Sequence, residues 1–161
     1  MSSQQSNITV IPIVPLTSEA FAAFGQVIQA YSESHPARKS IKITPANAGT
    51  AEKFHKLCLP FSSYPAEASA STGISIYRCQ PLQDICDGIT TLHTLERHLY
   101  TNQAFIPMGR GDGEGLEDPT DRYLVVVAHN GQDDRPDMKT LRAFLAKTSQ
   151  GISYNAGIWR K

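Results

Sequence analysis

Turn-forming residues interrupt this chain so often that it can fold only as many short segments. Its 161 residues include 11 Gly and 10 Pro. Asn47-Ala48-Gly49, Asp87-Gly88, the Gly- and acid-rich run over residues 109–120, and Arg135-Pro136 read as turns or loops. Between them lie short runs rich in β-branched and aromatic residues: 8–14, 26–30, 41–44, 51–59, 73–80, 123–128 and 151–159. Pro12 favours an edge position for the first of these. The YLVVVA run at 123–128 is apolar throughout, as in a strand covered on both faces. Helices are few. Thr17 caps a short one over residues 18–24 that stops at Gly25, with Ala20, Phe21 and Phe24 towards the core. Asp137 caps a second over 138–147, whose Leu141, Phe144 and Leu145 fall at i, i+3 and i+4. About seven to nine strands and two helices predict an all-β sandwich or barrel.

Composition narrows the function classes. Lys and Arg number 15, balanced by 15 Asp and Glu, so no basic stripe invites nucleic acid. No apolar run approaches the roughly 18 residues of a membrane span, and the start MSSQQSNITV lacks the pattern of a secretory leader. Cys58, Cys79 and Cys86 are irregularly spaced, with no C-x-x-C pair, which predicts reduced thiols in a soluble cytoplasmic protein. The chain reads as a single domain over residues 8–161, with a disordered N-terminus over 1–7. The acidic loop at 109–120 lacks the spacing of a calcium loop.

Chemistry concentrates in residues 94–108, TLERHLYTNQAFIPM. Side chains on a strand alternate between faces, so Glu96 and His98 point the same way, about 7 Å apart. A turn and a returning antiparallel strand would set Gln103 beside them. In the run 73–80, Arg78 shares a face with Ile74 and Ile76, so it must reach solvent, pair or bind an anion. His55 is a further candidate, with a surface role as the bland alternative.

The spacing of Glu96-x-His98-x4-Gln103 falls on the first motif of the cupin barrels, and Asn155-x-Gly157-x-x-Arg160 falls on the second. Gln103 and Arg160 stand where cupins carry metal ligands. An amide and a guanidinium ligate divalent metals poorly, so neither a metal nor another cofactor is expected. From about Val10 to Trp159 the sequence resembles the ureidoglycolate lyase family. The resemblance rests on PLTSEAFAAFGQVI, the pattern from Asn47 to His55, Tyr77-Arg78, LERH with QAFIPM, VVVA, RPDMKTLRAFLA and QGISYNAGIW. It implies a cupin-like jelly-roll β-barrel with two short peripheral helices, a homodimer, and cleavage of ureidoglycolate to glyoxylate and urea in allantoin and purine breakdown. It also implies Glu96 and His98 as the proton-transfer pair. Arg78 would be the carboxylate fork, and Gln103, Asn47, Lys53 and His55 further substrate-binding residues. In the family a His follows the Trp and further strands close the barrel. Here Arg160-Lys161 follow Trp159, so the closing strands are expected to be missing at the C-terminus. A His codon read into a GTAAG splice donor would encode Arg-Lys. Two other readings accompany this one: a truncated, non-catalytic or partner-dependent remnant, and a metal-dependent cupin oxygenase or isomerase.

Overall fold

The computed structural model describes residues 10–32, 36–80, 82, 85–108 and 121–161. Among them the chain is built mostly of short strands. In chain order these are β1 (Ile13–Pro15), β2 (Gly25–Ile28), β3 (Ile43–Ala46), β4 (Ala51–Phe54), β5 (Glu96–Arg97), β6 (Gln103–Phe105), β7 (Arg122–Ala128), β8 (Arg142–Lys147), β9 (Gly151–Tyr154) and β10 (Trp159–Arg160). One sheet runs β1-β8-β7-β10-β5, a second runs β2-β9-β6, and β3 and β4 form a separate hairpin. The fold is all-β and cupin-like, and its sheets do not close into a barrel among the described residues. The N-terminal run 1–7 and the loop at 109–120 lie outside the described residues.

The two sheets face each other across one apolar core. Phe21, Val125, Val127, Phe144, Ile152 and Tyr154 are buried there. The Phe21 ring meets the edge of Phe144 at 5.7 Å and that of Tyr154 at 6.0 Å, a favoured geometry for aromatic pairs. A second cluster, with Val126, Ala128, Leu141 and Ala143 buried, covers the opposite face of the first sheet. β7 is thus wrapped on both sides, as its unbroken apolar run requires.

The first helix, α1 (Ser18–Phe21), is shorter than expected but capped as expected, with Thr17 Oγ1 accepting from Ala20 N. The helix expected over 138–147 is overturned. One 3₁₀ turn, Met138–Thr140, follows the Asp137 cap, and the rest is strand β8, paired with β7 from Arg122↔Lys147 to Val127↔Arg142. Apolar cover on both faces removed the two-residue alternation, and the remaining spacing imitated a helical stripe. The strand expected over 73–80 is also absent: these residues are exposed and outside any strand, with Ile74 98% exposed. The last strand divides into β9 and β10 at a turn where Gly157 has φ +81°, a conformation that favours glycine. At Gly25 a Cβ would stand 1.9 Å from Ser153 O, so only glycine lets β2 lie this close to β9.

Candidate active site

Strand alternation decides which groups enter the space between the sheets. β10 pairs with β5 as Trp159↔Arg97 and Arg160↔Glu96, and with β7 as Trp159↔Ala128 and Arg160↔Val127. Val127 belongs to the inner core and Ala128 to the outer cluster. Arg160 and Glu96 therefore face inward, while Trp159 and Arg97 face outward. The outward pair stacks, with the Arg97 guanidinium 4.6 Å from the centre of the Trp159 ring. Arg97 Nη1 donates to Asn130 Oδ1 and to Asp134 Oδ1, the latter at 2.9 Å; the bond from Arg97, then one from Asn130 Nδ2, hold the Asp134 carboxyl below its usual range.

The inward pair sits at the polar corner of the core. Arg160 is 3% exposed. Its Nη2 donates to Gln103 Oε1 on β6 and lies 3.6 Å from Glu96 Oε1. Its guanidinium sits 5.2 Å from the centre of the Tyr154 ring. His98 joins the group through the backbone: its carbonyl accepts from Gly157 N at 2.7 Å, which ties it to the turn leading into β10. Burial, then the Arg160 charge, lower the His98 pKa from 6.5, and Glu96 opposes the shift. The imidazole is therefore held towards its neutral form, able to accept a proton. Burial is also the first cause lowering the Arg160 pKa and raising that of Tyr154.

Glu96, His98 and Gln103 thus meet, though not in the expected hairpin. β5 lies in the first sheet and β6 in the second, and Arg160 bridges them. The connection from His98 to Gln103 is anchored from outside, where Asn102 Nδ2 donates to Leu59 O and Asn102 Oδ1 accepts from Phe61 N. The other expected residues lie elsewhere. Arg78 is exposed, and its neighbour Tyr77 approaches the corner instead, 5.7 Å from the Phe105 ring. Asn47 lies in the turn between β3 and β4, where its carbonyl accepts from Thr50. Lys53 is exposed on β4, and His55 Nε2 sits 2.7 Å from Thr44 Oγ1. Burial, then the charges of Lys53, Lys42 and Lys56, lower the His55 pKa from 6.5.

Two residues of the corner were not named as site residues from sequence. Tyr154 was hidden in an ordinary strand run. Arg160 was visible on the second cupin spacing and was counted only against a metal. The four positions on the two spacings do converge: Glu96, His98, Gln103 and Arg160. A buried guanidinium at the fourth position repels a divalent cation and offers it no lone pair, so these residues do not fit a cupin metal centre.

The sequence matches the family model described as Ureidoglycolate lyase over residues 8–161. It is 36% identical over 151 residues to a protein of Schizosaccharomyces pombe named ureidoglycolate lyase, covering 89% of this chain and 72% of that protein. Proteins of the same name from Escherichia coli and Shigella boydii are each 36% identical over 149 residues, covering 92% of this chain and 76% of theirs.

Proposed function

The chain belongs to the ureidoglycolate lyase family, and from that premise we propose that it cleaves ureidoglycolate to glyoxylate and urea at the polar corner between the sheets. In the substrate one carbon carries a carboxylate, a hydroxyl and a urea nitrogen. Cleavage removes the hydroxyl proton, forms the aldehyde C=O, breaks the C–N bond with its electrons passing to nitrogen, and returns one proton to that nitrogen. No net proton is gained or lost, so a pair of groups that relays one proton suffices. Glu96 and His98 are that pair in this reading. The observation that carries it is their convergence on Arg160, with His98 biased to the neutral base.

Gln103 fixes the far side of the corner and offers its amide to the ureido group. Asn47, Lys53, His55 and Arg78 belong to an outer set in this reading, from which the lysine and arginine charges draw an anionic substrate inwards. No helix among the described residues is long and apolar enough to cross a membrane, in keeping with a cytoplasmic enzyme of small-molecule breakdown. A homodimer is part of the same reading, and sedimentation velocity checks it. The deciding experiment follows urea and glyoxylate together from ureidoglycolate. Equal amounts released above the spontaneous rate support the lyase, and ammonia in place of urea overturns it.

A further inference from the structure

We propose that Arg160 is the anchor for the carboxylate of a small 2-hydroxy or 2-oxo acid, gripping it through the Nε edge of its guanidinium. The ligand class rests on the lyase reading above, whereas the anchor follows from the state of Arg160 itself. Among the described residues, Arg160 Nε is the buried side-chain nitrogen or oxygen without a hydrogen-bond partner. Leaving a charged donor unmet inside a protein is costly, and native structures rarely do so without a reason. The rest of the guanidinium is only partly neutralised. Its contact with Glu96 at 3.6 Å is longer than a charge-assisted hydrogen bond, and the Glu96 side chain is 66% exposed. Gln103 accepts from Nη2 but brings no charge. A buried cation thus keeps its Nε–H unmet while its plane is fixed against Tyr154.

A carboxylate fits that edge, because Nε–H and a terminal N–H point the same way and match two carboxylate oxygens. The carbon attached to such a carboxylate enters the corner that holds Glu96 and His98. Two other cations are placed for other work. Arg97 faces outward and is taken by Asp134 and Asn130, and Arg78 is exposed. The anchor occupies the fourth cupin position, so a fixed side-chain cation does there what a metal ion does for an anionic ligand elsewhere.

The test uses glyoxylate as the probe. In the unmodified chain, the assigned Nε–H resonance of Arg160 is followed as glyoxylate, or its uncharged amide, is added. A saturable shift with glyoxylate and none with the amide supports the anchor, and an unmoved resonance overturns it. This arm needs no variant to fold. By calorimetry, Arg160→Gln and Arg160→Lys should each weaken glyoxylate binding at least tenfold. Binding within twofold of the unmodified chain in a folded Arg160→Gln overturns the anchor. Normal urea release with unchanged glyoxylate binding in that variant removes the anchor and leaves the lyase reading. Glyoxylate held through Arg160 without any urea release removes the lyase reading and leaves the anchor.

Discussion

The same alternation of inward-facing residues makes an apolar core at one end of the sheets and a polar corner at the other. Around Phe21 and Phe144 the inward positions are filled by rings and aliphatic chains that satisfy one another. Around Arg160 the inward positions are Glu96, Gln103 and Tyr154, with one buried donor left unmet. Tyr154 belongs to both regions, touching Phe21 at 6.0 Å and the guanidinium at 5.2 Å. Stability should therefore reside mainly at the first end and chemistry at the second. Substitutions that affect only one property separate the two.

Phe144→Ala is expected to act most strongly on stability. Removing a fully buried ring from the interlocked core should cost about 3–5 kcal/mol, or a melting point lower by roughly 6–20 °C for a chain of this size. Turnover per folded molecule should stay within about twofold of normal. A comparable loss of turnover in the folded fraction would show that the two ends are coupled. At the polar end, Glu96→Gln removes a mostly exposed carboxylate whose ion pair is worth little to folding. It should lower kcat about a hundredfold, in the range of a general acid–base group, with melting little changed.

A smaller effect concerns pH. His98 has a lowered pKa in the folded chain, so the unfolded chain takes up its proton more readily. Stability from this group is present above pH 6.5 and is lost as pH falls below it. If His98 must be neutral to act, the acid limb of kcat/KM lies below 6.5. Arg160→Lys is not a test of this link, because the charge remains. Arg160→Gln removes the charge and should move that limb upward. A limb that moves downward would break the link between Arg160 and His98. The smallest expected effect is at the cap of α1. Thr17→Ala should cost about 1 kcal/mol of stability and leave turnover unchanged, as its hydrogen bond to Ala20 N lies outside the polar corner.

The all-β class was legible because turn residues and short apolar runs are local signals, and the Thr17 and Asp137 caps were read correctly for the same reason. β8 was misread because burial on both faces erased the alternation that marks a strand. The 73–80 run failed in the opposite sense, since its alternation is clean but the described residues give it no strand partner. At the corner, strand parity gave the shared face of Glu96 and His98 with Arg97 turned away. Parity could not give the bridge, which depends on β10 pairing with both β5 and β7 across sixty-odd and thirty-odd residues of chain. Arg160 was therefore legible as a departure from a metal-binding spacing and not as the centre of the arrangement.

In the proposed reaction His98 acts at the polar corner as a proton-transfer group. Its most direct test is the rate of urea release from ureidoglycolate by a His98→Ala protein that melts at the unmodified temperature. The expected rate is at least about a hundredfold lower. A rate within threefold of the unmodified protein would contradict it.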